Sequence, residues 1–431
     1  MDKKNQAYGI IEKLWRFNRI FCSSDYDAAL EILREYLPFD THVYNSPLPY
    51  KGWVIPPKWD LVQGVIRRNG KTIFEVDHPL KIMGLSRSFK GQVSLEELKN
   101  HLHFDRRNPK RIPYHFRQHY RPWERDWGFC VTQDFYDTLE EGFYDIEIVT
   151  KESEGYLKVA EYVHAGKSPL GFAFVAHLDH PGMANDDLAG VAVGIELFKR
   201  LSQSQYRNKF TYRLVLVQEI IGSVFYLGQT LGNHSGILES CFLEMLGTKT
   251  PFALQSSQSA KSCLESILEK KLKERDLDYR LGPFRSIVCN DEAVWESYGI
   301  PMCSLSRYPY PEYHSDQDNM SIICPESLET AVSLLYQTLL GLDQMMVMEK
   351  RFEGVFSLAH PLYNLYVDAG QPAFDSPAEE TALRLRLLMD SVPLYPKFSF
   401  VNSIAQELEL PLECVLNYLK QWEHKGLICL I

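Results

Sequence analysis

The chain lacks the features that mark several large classes of protein. Its 431 residues contain no apolar run near the roughly 20 residues that a membrane-spanning helix needs. The first residues carry no basic segment followed by an apolar core, which argues against a signal peptide. Nine cysteines without a Cys-x-x-Cys pair argue against a disulfide framework and against a cysteine-based zinc site. We therefore expect a cytoplasmic protein with reduced cysteines and no membrane partner.

Positive charge is also scarce. Lys and Arg number 46 against 56 Asp and Glu, which gives a formal charge of −10. This balance argues against a nucleic-acid partner, because binding to a phosphate backbone needs a clustered positive surface. Apolar residues make up 45% and charged residues 24%, as in ordinary soluble globular proteins. The composition favours a soluble enzyme and leaves open whether it forms a homo-oligomer.

Hydrophobic periodicity predicts a large domain that is interrupted by a smaller one. Apolar runs alternate with helical patterns in the middle of the chain, which predicts an α/β fold with a mainly parallel mixed sheet and helices on both faces. The predicted strands of this region include 146–149, 171–176, 212–217, 286–289 and 302–306. An earlier stretch is dense in Pro, Gly and aromatic residues and carries a hairpin signal at Asn69-Gly70. The predicted divisions are a catalytic domain at 1–40 and 131–350, an inserted β-rich module at 41–130, a linker at 351–380 and a winged helix-turn-helix at 381–431.

A winged helix would raise the question of DNA binding. Its expected recognition helix, 412–423, carries Glu413 and Glu423 against Lys420 alone. Phosphate contact needs more positive charge than this. The apolar residues of the same helix indicate packing, so we predict no nucleic-acid partner.

Polar side chains follow the predicted parallel strands at the points where these strands end. The carboxyl ends of parallel strands meet at one edge of a sheet, so such side chains are expected to converge. The sets are His177 and Asp179 after 171–176, Asp186 before the next helix, Gln218 and Glu219 after 212–217, and Tyr313, His314 and Asp318 after 302–306.

Each of these motifs also has a plainer interpretation. Asp186 could simply cap a helix, and His314 could be a structural loop histidine. His180 is interpreted as a solvated loop histidine, with a ligand or substrate contact left open. Taken together, however, imidazole and carboxylate groups without thiolate suit Zn²⁺ with an open position for water. Asp179 and Asp318 could then orient the histidine rings.

In combination, these motifs resemble the M28-type zinc aminopeptidases. That family carries His-x-Asp, Asn-Asp before a helix, a Glu-Glu pair, an Asp and a late Tyr-His. The matching residues here are His177-Leu178-Asp179, Asn185-Asp186, Gln218-Glu219 and Tyr313-His314. More closely, the chain resembles the bacterial DUF4910 aminopeptidase-like proteins, which carry an inserted DUF2172 module and a C-terminal winged helix. The phrases that resemble the module include GWVIPPKWD at 52–60, RIPY at 111–114 and DWGFC at 126–130.

The resemblance implies a zinc-exopeptidase-like fold with one or two Zn²⁺ ions. Glu244 stands where the family has an Asp ligand, and Asp186 would bridge two ions. Asp179 would lie beside the metal and take part in catalysis. The implied metal ligands are His177, Asp186, Glu219, Glu244 and His314.

The identity of the general base is open. The family has a glutamate base where this chain has Gln218, and glutamine cannot accept a proton from water. Either Glu219 is the base, or another carboxylate such as Glu292 takes that role. Asp291 and Glu292 are expected at the substrate pocket, although Asp291 could instead cap the helix that follows it.

The resemblance implies a zinc-dependent hydrolase that acts on a peptide or a small amide. The first expectation is an aminopeptidase, which removes an N-terminal residue with metal-activated water. Two alternatives remain. One is an amidase or deacylase that acts on a small amide or an amino sugar. The other is a metal-binding scaffold without catalysis, and Gln218 in place of the glutamate base would be the sign of the lost activity.

Overall fold

The computed structural model describes residues 6–45, 48–231, 236–259, 262–368 and 377–431. The chain divides into two compact units, Met1–Gln337 and Thr338–Ile431. Part of the predicted linker, 369–376, lies outside the described residues. No helix in the described ranges combines the length and the apolarity needed to cross a membrane.

The described residues of the first unit form fourteen strands and most of the helices. The strands are β1 Asp40–Tyr44, β2 Lys58–Arg68, β3 Lys71–Glu75, β4 Phe89–Ser94, β5 Leu102–His103, β6 Phe129–Cys130, β7 Phe143–Ser153, β8 Leu157–His164, β9 Gly171–His177, β10 Thr211–Val217, β11 Ile237–Leu243, β12 Phe252–Gln255, β13 Tyr279–Gly282 and β14 Met302–Ser306. The helices are α1 Gln6–Leu14, α2 Ser24–Arg34, α3 Leu95–Asn100, α4 Gln133–Asp137, α5 Leu188–Gln203, α6 Ile221–Phe225, α7 Cys263–Glu274, α8 Glu292–Ser297 and α9 Pro325–Leu342, the last of which continues into the second unit.

An eight-stranded sheet forms the centre of the first unit, in the order β1-β8-β10-β9-β11-β14-β12-β13. Strands β10, β9, β11 and β14 are parallel neighbours, whereas β8 and β12 pair antiparallel with this central group. Every residue of β9 is buried, as in a strand that is covered on both faces. The mixed α/β class is therefore confirmed, and the four parallel strands end at one edge of the sheet.

The predicted core strands agree with the structure to different degrees. The strand at 302–306 is confirmed at both ends, and those at 171–176 and 212–217 each differ by one residue. The strand expected at 286–289 is wrong. The N–H groups of Ile287 and Val288 donate to the side-chain oxygen of Gln255, at 2.8 and 3.1 Å, instead of to a neighbouring strand.

A second sheet has the order β3-β2-β7-β4. Its β2–β3 hairpin turns at Asn69 and Gly70, whose φ angles of 50° and 75° lie in the left-handed region that a tight hairpin requires. Strand β7 comes from beyond the expected module boundary at 130, while β1 extends the main sheet. The predicted strand at 146–149 belongs to β7, so its place in the main sheet was wrong.

The second unit combines helices with a three-stranded antiparallel sheet. Apolar residues on one side of α12, Val415, Leu419 and Trp422, are buried, as the packing interpretation expected. One strand, β15, comes from before 381, and the winged helix-turn-helix at 381–431 stays a prediction. The elements are α10 Pro377–Ser391, α11 Val401–Glu407, α12 Leu412–His424, β15 Val347–Lys350, β16 Phe398–Phe400 and β17 Ile428–Leu430, with strand order β16-β15-β17.

A charge cluster on β8 yields a stability prediction. Glu161 accepts hydrogen bonds from Arg213 at 2.6 Å and from Tyr226 at 2.8 Å, and His42 Nε2 lies 2.8 Å away. Burial by itself raises the pKa of Glu161, but these three partners lower it to about 2. A depressed folded-state pKa means that the stabilisation is complete above the unfolded pKa and is lost as the pH falls towards 2.

We expect Glu161→Gln to lower the free energy of unfolding by roughly 3 kcal/mol at pH 7. The difference from the wild type should shrink below about pH 4.5, because Glu161 takes up a proton there in the unfolded chain but not in the folded protein. Urea denaturation at several pH values measures both effects. Glu140→Gln, which removes a surface ion pair with Arg68, is the control and should change little. A pH-independent difference would contradict the prediction.

Candidate metal centre

The loop that follows β9 is buried. His177, Asp179 and His180 are exposed by 1%, 0% and 2% respectively. The interpretation of His180 as a solvated loop histidine is therefore wrong, because the loop folds inward at the sheet edge. The sequence signal for this was the small and apolar residues that follow, since Met183 and Ala184 are fully buried.

A buried arginine holds this loop in place. The guanidinium of Arg19 donates to the carbonyl oxygens of Leu178 at 3.0 Å and Met183 at 3.2 Å, and also to that of His180. Burial lowers the pKa of Arg19 to about 10, although Asp179 opposes the shift, so the group stays charged at neutral pH. Sequence reasoning missed Arg19, because a single arginine between two helical segments carries no local signal.

Asp186 is placed by Asp318. The carboxylate of Asp318 accepts from the N–H groups of Ala184, Asn185 and Asp186 at 3.1, 2.6 and 3.1 Å. It also accepts from the hydroxyl of Tyr310 at 2.6 Å. Asp318 thus orients the backbone of the Asp186 loop, where the sequence suggested that it would orient a histidine ring.

Two overlapping groups of side chains have the spacing of metal ligands within the described ranges. One is His180, Asp186 and His314, and the other is His177, His180 and Glu219. In each group the ligand atoms lie within 4.8 Å of one another. His314 Nε2 is 3.2 Å from Asp186 Oδ2, and Glu219 Oε2 is 4.0 Å from His180 Nε2. His180 is common to both groups.

The donor atoms of the first group fit a zinc ion. Asp186 Oδ2 and His180 Nδ1 are buried and have no hydrogen-bond partner among the described residues. Burial lowers the pKa of His180 to about 3, so the ring is neutral, as a metal ligand must be. Burial by itself raises the pKa of Asp186, but His180 and His314 lower it to about 2. Two imidazoles and one carboxylate form a zinc-type donor set with room for further ligands.

His177 has a different partner. Its Nε2 lies 2.6 Å from Asp291 Oδ2, and both side chains are buried. Asp291 also accepts from the N–H of Ile220 at 2.9 Å and from the hydroxyl of Ser223. Burial by itself lowers the pKa of His177, but Asp291 raises it well above the ordinary value. Asp291 therefore pairs with His177, and its side chain makes no capping hydrogen bond to α8.

Glu244 and Glu292 share a separate network. The side chain of Asn290 donates to Glu244, and its N–H donates to Glu292 at 2.8 Å. Glu292 also accepts from Gln255 at 2.9 Å and from Ser304. Neither glutamate belongs to the two groups with metal-ligand spacing. The structure thus brings the expected ligand Glu244 and the expected base Glu292 next to each other, but not into the histidine cluster.

Gln218 and Asp179 have positioning contacts. Gln218 Nε2 donates to the carbonyl oxygens of Phe21 and Lys158, each at 3.1 Å, so this amide is directed into the packing of the core. Asp179 Oδ1 accepts from the N–H of Glu219 at 2.9 Å. Burial raises the pKa of Asp179 to about 8. Asp179 thus fixes the backbone of Glu219 and makes no hydrogen bond to a histidine ring within the described ranges.

Residues 111–120, here called the strap, cover one side of the cluster. The hydroxyl of Tyr120 donates to Glu219 Oε2. The ring of Tyr114 lies edge-on to the rings of His180 and His314, with centroids 5.7 and 5.3 Å apart. The N–H of Tyr114 donates to the carbonyl of His314 at 2.9 Å. Sequence reasoning assigned RIPY to the inserted module and missed that this segment forms a wall of the site.

Tyr313 completes the surroundings of His314. The two rings stack with centroids 3.8 Å apart and an interplanar angle of 18°. Burial raises the pKa of Tyr313, so this phenol is neutral. Tyr313 therefore orients the His314 ring.

Comparisons with known proteins find one related sequence and several solved structures with a similar fold. A Clostridium acetobutylicum protein, provisionally assigned to polysaccharide biosynthesis and containing an aminopeptidase-like domain, is 26% identical over 341 residues, which is 77% of each chain. A provisionally assigned peptidase structure from the same organism has a TM-score of 0.74 at 21% identity and covers 99% of this chain and 96% of that chain. A zinc aminopeptidase from Bacillus subtilis has a TM-score of 0.58 at 14% identity, covering 78% and 94%.

An M28 peptidase precursor from Shewanella amazonensis has a TM-score of 0.54 at 16% identity, covering 79% of this chain and 93% of that chain. At these identities the likeness concerns the fold. The family model of the domain of unknown function DUF4910 matches residues 8–345, which is most of the sequence. The chain therefore belongs to the DUF4910 family and has the fold of the M28 aminopeptidases.

Proposed function

We propose that this protein is a zinc-dependent amide hydrolase that acts as an aminopeptidase. The observation that carries the proposal is the group His180, Asp186 and His314, which lies beside Glu219 at the carboxyl edge of the sheet. The likeness in fold to a zinc aminopeptidase from Bacillus subtilis supports it. In such sheets, ligands bind outside the carboxyl ends of the strands.

The ligand set that we assign differs from the one that the family resemblance implies. His180, Asp186 and His314 would hold the zinc ion, and His177 would remain paired with Asp291. A zinc ion held there supplies Lewis acidity towards a carbonyl group and a water molecule. One ion is enough for this chemistry, and Glu244, which accepts from Asn290, lies outside the two groups with metal-ligand spacing.

Glu219 is the residue that we assign as general base. Tyr120 donates to its Oε2, and Asp179 accepts from its N–H, so both its carboxylate and its backbone are fixed. The carboxylate would accept a proton from water and pass it to the leaving amine. Gln218 cannot substitute, because it lacks a basic oxygen of this kind and donates to core carbonyls.

Charge at the site favours an amino-terminal substrate. The pKa of Asp186 is lowered to about 2, so this group is charged at neutral pH, and it lies beside a neutral His180 that also adjoins Glu219. A negative charge held at the site attracts a positively charged amino group. Tyr114 and the other aromatic residues of the strap limit the entry of water. Both features suit the cleavage of an amide next to a free amine.

A second candidate is an amidase that acts on an amino sugar. The Clostridium acetobutylicum relative assigned to polysaccharide biosynthesis favours it. The same ligand set and base would serve, since an amide on a sugar requires the same attack of water on a carbonyl. The two candidates differ in the group that lies beside the reacting amide.

Metal analysis combined with a substrate panel tests the proposal. We expect about one zinc per chain and hydrolysis of leucyl-p-nitroanilide that is lost with a chelator and restored by zinc. Release of acetate from N-acetylglucosamine, in place of aminoacyl cleavage, would favour the amidase. Stoichiometric zinc without hydrolysis of either substrate class would identify a scaffold and reject the proposed catalysis.

A further inference from the structure

We propose that a cavity beside the metal centre binds an anionic group on the substrate, through Lys51 and Arg285. The cavity has a volume of about 410 Å³. The inference rests on the proposed function, since it assigns the cavity to the substrate of that site. Its lining residues include Lys51, Trp53, Ile220, Val224, Arg285 and Tyr298.

The inner wall of the cavity is bonded to residues of the centre. Ile220 directly follows Glu219, and its N–H donates to Asp291 at 2.9 Å. Asn290, also in the lining, donates its side chain to Glu244. A molecule in this cavity would therefore contact the segments that carry Glu219 and Asp291. These links place the cavity beside the segments that carry Glu219 and Asp291.

The charge of the lining is unusual for this chain. No Asp or Glu lines the cavity within the described ranges, although acidic residues outnumber basic ones by 56 to 46 in the sequence. Four other cavities in the described part of the chain each have at least one carboxylate in the wall. A lining with two cations and without Asp or Glu among its described residues suits the recognition of carboxylate or phosphate oxygens.

Lys51 is held in position before any ligand arrives. Its ammonium group donates to the hydroxyl of Tyr298 at 3.0 Å and lies 5.6 and 5.0 Å from the ring centroids of Tyr50 and Tyr298. Cation–π contacts of this kind fix an ammonium group and leave its remaining donors available. Apolar residues, Trp53, Ile220 and Val224 among them, supply the floor. The cavity thus suits an apolar stem that ends in an anion.

The two charged regions together define a substrate class. The acidic side chains of Asp186 and Glu219 lie beside His180, whereas Lys51 and Arg285 line the cavity. A molecule that fits both regions carries an amino group at the scissile amide and an anionic end on an apolar stem. Short amides of amino acids with a carboxylate or phosphate group have this chemistry.

Protection of a cysteine tests the inference without hydrolysis. Cys289 lines the cavity and is exposed. We would measure its alkylation by iodoacetamide with peptide mass spectrometry, in the presence of 4-phenylbutyrate, phenylethyl phosphate or 4-phenylbutylamine. The anions should slow alkylation at least fivefold at saturation, whereas the amine, which has the same apolar body as phenylbutyrate, should not. Protection by one anion alone identifies that oxyanion as the recognised group.

Arg285→Gln is the informative variant, because Arg285 is exposed and is neither an assigned metal ligand nor the assigned base. This substitution should weaken anion binding, so the anion concentration that gives half protection should rise by about tenfold. Arg106→Gln, a change at an exposed arginine outside the cavity lining, is the matched control. Equal protection by the amine, or unchanged protection in Arg285→Gln, would overturn the inference. Protection in a protein that hydrolyses nothing would reject the proposed function but support the cavity.

Discussion

His180→Gln should remove zinc binding, whereas His177→Gln should leave it largely intact. His180 belongs to both groups with metal-ligand spacing, while His177 is paired with Asp291. Substitution of a residue that only hydrogen-bonds to a metal ligand typically lowers the metal affinity 10- to 100-fold. Loss of a direct ligand should therefore weaken zinc binding by more than about 100-fold. Competition with a chromophoric chelator measures the affinity, and the metal content of the purified protein provides a second readout.

The two glutamine variants are matched, since both replace a buried imidazole with a polar side chain. Circular dichroism would show that each variant is folded. The alternative ligand set, which the family resemblance implies, predicts the reverse order of zinc affinities. Loss of zinc in His177→Gln with retention in His180→Gln would therefore refute our assignment.

Glu219→Gln should lower kcat by about 1,000-fold with zinc still bound, because loss of a general base typically costs 100- to 10,000-fold. The amide keeps the size of the side chain but cannot accept the proton. The measurement is the steady-state hydrolysis of an aminoacyl substrate together with zinc content. A variant that loses zinc as well as activity would show that Glu219 is a ligand.

Tyr120→Phe provides a graded companion to this variant. Removing the hydroxyl takes away the hydrogen bond to Glu219 and leaves the ring packing, so kcat should fall by about tenfold while KM changes little. Tyr114→Phe is the control, since the hydroxyl of Tyr114 pairs with the ring of His119 at 3.2 Å, and His119 has no proposed catalytic role. Equal effects of the two substitutions would indicate that Tyr120 only supports packing.

Sequence patterns were sufficient to predict the mixed α/β class and the edge of the sheet at which the candidate residues lie. The mostly apolar runs that form β9, β10 and β14 are almost entirely buried. Such runs can be recognised in a sequence because both faces of the strand are covered. Parallel strands then bring His177, Glu219 and His314 to one edge. This part of the prediction depends on topology alone, which periodicity reveals.

The partners of each side chain were not predictable in the same way. Whether Asp291 caps a helix or binds His177 depends on differences of a few ångströms, which residue order does not encode. His180 was misread because a polar residue in a loop is usually solvated, and only the fold shows that this loop turns inward. Arg19 is 159 residues from the carbonyl of Leu178 that it binds, so no local pattern could relate them.

The strap has a consequence for molecules designed to block this protein. Tyr114 and Tyr120 belong to a segment far from the ligand loops in sequence, yet they lie against His180, His314 and Glu219. With a zinc ion at the proposed site, an inhibitor with a zinc-chelating head and an aromatic tail would anchor on the metal and gain its selectivity from these two phenols. Peptidases whose clefts are built from the sheet alone would offer such a tail no comparable surface.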